Sequence, residues 1–299
     1  AGTVAGAGAD HCGELRLVDI GLNLPAGRTN LLEAVDVRAV LPHPEASDDK
    51  YTRGVVGIAA GSEQYAGAGV LATGAAVHSG AGMVRYVGLA PDPVRARYPE
   101  VVVHPDSRPH DVRVQAWVVG PGLGTDDTAM QLLADVLRTD VPVVADADAI
   151  TLIARSPGLI RHRRAPIVLT PHDREFTRVA GDIGPDRIAA ARRAASELGV
   201  TMLLKGNATV VADPHGAVFV NATGTPWLAT AGSGDVLSGL IGSLLAVGLP
   251  APLAAAAGAY VHGVAGQRAA ALGPPSATDL LAQLAPALHG LAAARPDER

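Results

Sequence analysis

Short apolar runs, each closed by glycine or a small polar residue, alternate with alanine-rich stretches over most of the chain. VVGIAA (Val55 to Ala60) is the first clear run, and Gly61-Ser62 breaks it before an alanine-rich helix predicted near Ala66 to His78. MVRYVGL, VVVH and AWVVG (Ala116 to Gly120) read as further strands. Thr125-Asp126-Asp127 caps a helix running through Leu137. PVVADAD (Pro142 to Asp148), PIVLTPH (Pro166 to His172) and TMLLKG (Thr201 to Gly206) continue the series, with ARRAASELG as a helix between the last two. Ala208 to Asn221 reads as a hairpin turning at Asp213-Pro214-His215-Gly216, and three helices are expected after it. Strands alternating with helices predict an α/β fold of three layers, with a mostly parallel central sheet covered on both faces. The first 50 or so residues lack this period, apart from a possible strand at Leu15 to Leu22.

At 299 residues the chain suits one large α/β domain or two small ones, and 48% hydrophobic residues supply an ample core. A net charge of −5 without a basic block argues against a nucleic-acid partner. The single cysteine, Cys12, excludes an internal disulfide and suits a reducing cytoplasm. Val236 to Gln267 carries no charged side chain, but Gly248-Leu249-Pro250-Ala251-Pro252 cuts it into pieces too short to cross a bilayer. Two buried helices joined by a turn are expected there, and no membrane partner. Only Lys50 and Lys205 are lysines in a chain that otherwise uses arginine, so a compact ammonium or chance accounts for each.

In parallel sheets, ligands bind beyond the carboxyl ends of the strands. Those ends carry Gly61-Ser62, the GPGLG of Gly120 to Gly124, Asp146 with Asp148, Thr170-Pro171-His172 and Lys205-Gly206. Each has a plain reading: a tight turn, a helix cap, a hydrogen-bonded histidine, a strand end. GPGLG lacks the spacing of a dinucleotide fingerprint, and no P-loop occurs. Asp235 stands behind Gly232-Ser233-Gly234 and ahead of a long uncharged run. It is either a first-turn acid facing the helix dipole or a base beside a cradle of backbone N–H groups.

Taken together, YAGAGVLATGAAVHSGAG, VVGPGLG, VVADADAI, VLTPHDREF, LLKGNATVV, NATGTPWLATAGSGDVLSG and AYVHGVAG resemble the ADP/ATP-dependent NAD(P)H-hydrate dehydratase family, a branch of the ribokinase-like fold. The likeness runs from about Tyr51 to about Ala285. TPH-x-x-E-F, LKG-x-x-T and G-[ST]-G-D-x-L-x-G are its most specific parts. It implies a dehydratase domain over 49–292, a polar tail at 293–299, and a lead segment at 1–48. Within the lead, LRLVDIGLNLP (residues 15–25) is similar to the tail of the epimerase domain of bifunctional chains. The body of that epimerase is absent, so its activity is not inherited. Trp227 departs from the family, which often has a smaller residue there.

The resemblance implies a hydro-lyase of metabolite repair, returning the S-epimer of hydrated NADH or NADPH to the reduced cofactor at the expense of ADP or ATP. The ring hydroxyl would be phosphorylated and then eliminated. Asp235 would be the base. The N–H groups around Gly232, Ser233 and Gly234 would hold the transferring phosphoryl group. Lys205, Gly206, Asn207, Ala208 and Thr209 would contact the nucleotide, and Ala68, Gly122, Gly124 and His172 the hydrated dinucleotide. Mg2+ would bridge the phosphates, with Asp146 or Glu175 reaching it through water and its ligands otherwise unknown. A cytoplasmic homo-oligomer is expected, a tetramer being one form. A ribokinase-like kinase of a vitamin precursor and a non-catalytic nucleotide-binding module stand as alternatives, and an intact GSGD argues against the latter.

Overall fold

The computed structural model describes residues 4–5, 11–13, 16, 18, 20–21, 27–105 and 107–293. The possible strand at 15–22, the segment 15–25 likened to an epimerase tail, and the tail at 293–299 lie largely outside them.

In chain order the strands are β1 (Thr29–Leu31), β2 (Val55–Ala59), β3 (Met83–Tyr86), β4 (Val102–Val103), β5 (Ala116–Val119), β6 (Val143–Ala145), β7 (Ile167–Leu169), β8 (Thr201–Leu204), β9 (Thr209–Ala212) and β10 (Val218–Asn221). The helices are α1 (Ala34–Val40), α2 (Ala66–His78), α3 (Pro91–Arg97), α4 (Asp127–Leu137), α5 (Asp148–Arg155), α6 (Asp173–Ala180), α7 (Arg187–Leu198), α8 (Ser233–Ala246), α9 (Ala251–Ala270), α10 (Ala277–Ala282) and α11 (Leu284–Ala293). One sheet takes them in the order β1-β10-β9-β8-β7-β6-β5-β2-β3-β4. Only the β8–β9 and β9–β10 pairings are antiparallel. Strands β2 and β5 to β8 are buried on both faces, as continuous apolar runs in a covered parallel sheet require. One core cluster packs α2, α8 and α9 against one face; the other packs α4, α5 and α7 against the opposite face.

Helix α2 has the predicted limits, Asp126 caps α4 by accepting from Ala129 N, and the hairpin turns where expected. Two expectations change. Four helices follow the hairpin, because α10 ends before Gln283 and α11 restarts at Leu284. A continuous helix would drive the ring of Pro286 into the carbonyl of Ala282, four residues back. The stretch before residue 49, which looked unpatterned, supplies β1 as an edge strand parallel to β10 and α1 as a covering helix. Strand β1 is three residues long, too short for its period to stand out. No described helix is long and apolar enough to cross a membrane.

Strand order reverses between β2 and β5: the chain builds β3 and β4 outward on one side, then β6 to β10 on the other. Loops on either side of such a reversal diverge and leave a crevice at the carboxyl ends of the strands. Helix α8 begins at this rim. It lies close to the sheet because a side chain at Gly242 would collide with Val118 and one at Gly239 with Ala72 of α2. Its small residues, and those of α9, are therefore used within the protomer.

Candidate active site

The rim of β6, β7 and β8 and the start of α8 converge on one charged cluster. Asp146, buried at the end of β6, accepts from Lys205 Nζ (2.9 Å) and from its neighbour Ala147 N on Oδ1, and from Ser238 Oγ (2.7 Å) on Oδ2. Ala147 is the one described non-glycine residue with positive φ (52°), so strain sits between the two aspartates of VVADAD. Burial opposes the charge of Lys205, but the carboxylates of Asp146, Glu175 and Asp235 outweigh it and hold the ammonium above its ordinary pKa. Glu175 Oε2 lies 3.9 Å from Lys205 Nζ.

The TPH-x-x-E motif is a capping box. His172 Nδ1 accepts from the N–H groups of Arg174 and Glu175, and Glu175 Oε2 accepts from His172 N at 2.9 Å. His172 is thereby fixed at the mouth of the nucleotide-side cavity. Arg187 pairs with Asp173 through two hydrogen bonds (2.8 and 3.0 Å) and donates to the carbonyl of Lys205 at 2.7 Å. It ties the loop after β7 to the loop after β8.

Gly232 precedes α8 with φ of +89°, a conformation that glycine adopts without strain. A side chain there would also press on Leu71 (2.6 Å). Ser233 spends its N–H on the carbonyl of Thr230 and its hydroxyl on that of Leu228. The N–H groups of Gly234 and Asp235 receive no backbone acceptor among the described residues, as expected at a helix start. The N–H of Gly232 also has no backbone acceptor among the described residues, so of the three expected donors only that of Ser233 is engaged, and Asp235 adds its own. Asp235 sits in the first turn of α8, and burial together with the Asp146 carboxylate pushes it up to about 7, against the pull of Lys205. A carboxyl poised there exchanges a proton near neutrality.

A cavity of about 1070 Å³ opens beside Asp235. Of the expected nucleotide contacts, Lys205, Gly206, Asn207, Thr209, Gly232, Ser233 and Gly234 line it, and His172 does so too. Ala208 does not; its side chain is buried in the core. Trp227 is half exposed on the loop whose neighbours Pro226 and Leu228 line the wall. The remaining expected substrate contacts form a separate group at the β2–β5 crevice. A side chain at Gly122 (φ +58°) would meet Ala68 Cβ at 2.7 Å, and Gly124 N donates to Asp148 Oδ2 at 2.9 Å. His172 therefore lies with the nucleotide-side residues, apart from Ala68, Gly122 and Gly124.

The sequence reading passed over His262, Ser238 and Arg187. His262 is buried in α9, and burial lowers its pKa to about 4, so the ring is neutral and its Nε2–H donates to the carbonyl of Ser233 (2.9 Å). A histidine in the apolar middle of α9 was the available signal for His262; Ser238, one of three serines in α8, carried none. Arg187, one of many arginines, carried none.

No cluster of three or more His, Cys, Asp or Glu able to hold a metal occurs among the described residues. Asp146 has both oxygens engaged. This donor set fits Mg2+ held chiefly by phosphate oxygens and water, not by a protein cage.

Residues 56–286 match the family model described as NAD(P)H-hydrate dehydratase. A bifunctional NAD(P)H-hydrate repair enzyme of Mycobacterium leprae is 52% identical over 94% of this chain, and the chain spans only 60% of that relative. An ADP-dependent (S)-NAD(P)H-hydrate dehydratase of Neisseria meningitidis is 43% identical, over 72% of this chain and 77% of its own length. Among solved structures, the ADP/ATP-dependent NAD(P)H-hydrate dehydratase of Bacillus subtilis, co-crystallized with ATP/Mg2+, matches with a TM-score of 0.78 and 28% identity over 87% of this chain and 97% of that one. With a family model spanning the sheet from β2 to α11 and the acidic cluster set at its rim, the chain belongs to the NAD(P)H-hydrate dehydratase family.

Proposed function

We propose that this chain dehydrates the S-epimer of hydrated NADH or NADPH back to the reduced cofactor, using ADP or ATP. The observation that carries the reading is the placing of Asp235. It lines the nucleotide-sized cavity in the first turn of α8, where its own N–H belongs to the cradle and the preceding Gly232 packs against Leu71 of α2.

Hydroxide is a poor leaving group, so the ring hydroxyl is first esterified. Asp235 takes its proton, and the oxygen attacks the terminal phosphorus of the nucleotide. The bond to the bridging oxygen breaks, giving AMP from ADP or ADP from ATP. The N–H groups of Gly234 and Asp235, with the Lys205 ammonium, stabilise charge on the transferring group. Bound Mg2+, reached through water by Asp146 or Glu175, would neutralise phosphate oxygens. The ring nitrogen's lone pair then expels phosphate as the C–O bond breaks, and loss of a proton from the adjacent carbon to solvent restores the reduced ring.

His262 fixes the carbonyl of Ser233 and Arg187 fixes the Lys205–Gly206 loop, so both orient the cradle without touching substrate. Gly122 and Gly124 contact the dinucleotide in this reading, and Gly206, Asn207 and Thr209 the nucleotide; Ala208 serves the core. ADP is the favoured donor, in line with the name of the Neisseria meningitidis relative. The catalytic domain covers 49–292, the protein is cytoplasmic, and its chains form a homo-oligomer. The oligomer rests on the family likeness alone, since α8 and α9 are spent in the protomer core. A single mass equal to the protomer's in light scattering at all concentrations would remove it.

The decisive assay follows reduced-nicotinamide absorbance and free phosphate together. With hydrated NADH and either nucleotide, one phosphate should appear per NADH regenerated. Nucleotide consumption with an accumulating organic phosphate and no return of absorbance would instead mark a small-molecule kinase.

A further inference from the structure

A second, smaller depression of about 600 Å³ adjoins the catalytic rim, lined by Thr125, Asp148, Thr151, Ala154, Arg155 and Arg178. We propose that this groove is a phosphate subsite for the hydrated dinucleotide, with Arg155 and Arg178 as its ligands. The proposal rests on the dehydratase reading and extends it to the part of the substrate remote from the reacting ring.

The two arginines come from different helices, α5 and α6, yet both guanidinium groups reach the same place. Arg155 stands at the end of α5, and helical side chains lean toward the helix N-terminus. Its Nη1 donates to the carbonyl of Thr125 at 3.0 Å, one residue beyond Gly124. Arg178 Nη1 donates to Thr151 Oγ1 at 3.2 Å, in the first turn of α5. Each side chain is thus tethered to the groove wall by one bond. Neither forms an ion pair among the described residues. The remaining guanidinium N–H groups are left to donate, and paired guanidinium forks are suited to phosphate oxygens. The groove's one acid, Asp148, is turned toward the glycine loop, where it accepts from Gly124 N.

Position supplies the rest. Asp148 follows two residues after Asp146, whose Oδ2 accepts from Ser238 of α8, so the groove starts beside the catalytic cluster. The nucleotide cavity occupies the side of the rim below β8 to β10, with Lys205 to Thr209 in its wall. A dinucleotide whose ring faces Asp235 must lead its ribose and diphosphate away on the other side. There the chain offers the Gly122–Gly124 loop and then the two arginines. A hydrated dinucleotide carries a bridging diphosphate, and hydrated NADPH a 2′-phosphate as well, so either group is the occupant.

The test is steady-state kinetics at saturating ADP on the full chain and on Arg155→Gln, Arg178→Gln and the double variant, with hydrated NADH and hydrated NADPH assayed separately. Both residues are exposed, so unchanged thermal melting is expected of each variant. The double variant should show a KM for the hydrate raised about tenfold or more, with kcat and the KM for ADP unchanged. A rise for both substrates identifies the diphosphate as the occupant; a rise for hydrated NADPH alone identifies the 2′-phosphate. Restoration of KM by Arg→Lys at either position, and a parent KM that climbs with salt, also support a charge contact. A double variant with the parent's KM for both hydrates, in an active parent, overturns the groove while leaving the dehydratase reading intact. A parent that turns over neither hydrate overturns both.

Discussion

The imidazole of His262 lies beneath the turn that opens α8, with Nε2 2.9 Å from the carbonyl oxygen of Ser233. The histidine comes from the middle of α9, so one helix sets the entry geometry of another at the point where the transferring phosphoryl group is to be held. His262→Ala leaves a cavity and a carbonyl without its donor, and should cost about 2–4 kcal/mol and lower kcat. His262→Asn supplies an amide donor and should recover part of the kcat. The folded pKa lies at about 4, below that of an ordinary histidine, so the neutral ring stabilises the fold fully above the unfolded pKa. That contribution is lost as pH falls from about 6.5 toward 4. Melting curves of parent and Asn variant across this range test it: a decline of equal size in both excludes His262 as its source.

Asp235→Asn keeps side-chain size and helix-start compatibility while removing the base. Turnover should fall about a hundredfold or more, with nucleotide binding retained. The parent's kcat/KM should rise with pH through about 7, because the carboxyl must be ionised to accept a proton. A rate that is flat between about pH 6 and 8 would remove Asp235 from the base role. The stability sign is opposite to that of His262. A raised carboxyl pKa makes the fold lose stability as pH climbs from the unfolded value of about 3.8 to about 7. The Asn variant should therefore gain more in melting temperature, relative to the parent, at alkaline than at acid pH.

Arg187 acts on the nucleotide site from outside it, through the Lys205 carbonyl and the bidentate pair with Asp173. Arg187→Ala should raise the KM for ADP about tenfold while leaving the KM for the hydrate unchanged. Equal rises in both constants would assign Arg187 a general structural part instead. Arg187→Lys should restore little, since an ammonium cannot reproduce the forked pair and the carbonyl contact together.

Gly122 combines a left-handed backbone with a close approach between the loop after β5 and the start of α2. Gly122→Ala brings Cβ to 2.7 Å from Ala68 Cβ and 2.8 Å from Tyr65 Cβ. The loop must move, at a cost of about 1–3 kcal/mol. A lower melting temperature with a higher KM for the hydrate and an unchanged KM for ADP is expected. A variant as stable and as active as the parent would show that the crevice tolerates a methyl group and does not contact the dinucleotide closely.

The sequence alone determined the sheet from β2 to β10, because a strand buried on both faces must be written as an unbroken apolar run and a capped helix must carry its cap. VVGIAA, AWVV, TMLL and the Asp126 cap were legible for that reason. It also delivered the rim residues as a set, since parallel strands present all their carboxyl ends on one side. Local pattern is silent about partners remote in the chain. Tertiary structure decided that Asp146, Lys205 and Ser238 form one hydrogen-bonded group, and that His172 caps α6 beside the nucleotide while Ala68 and Gly122 lie across the rim. It also gave β1 its place, because an edge strand of three residues is fixed by the neighbour it pairs with more than by its own period. The chemistry of Asp235 divides in the same way. Its position behind a glycine turn is written in the chain, but its pKa follows from burial and from Asp146, which stands far away in sequence and becomes its neighbour only when the sheet forms.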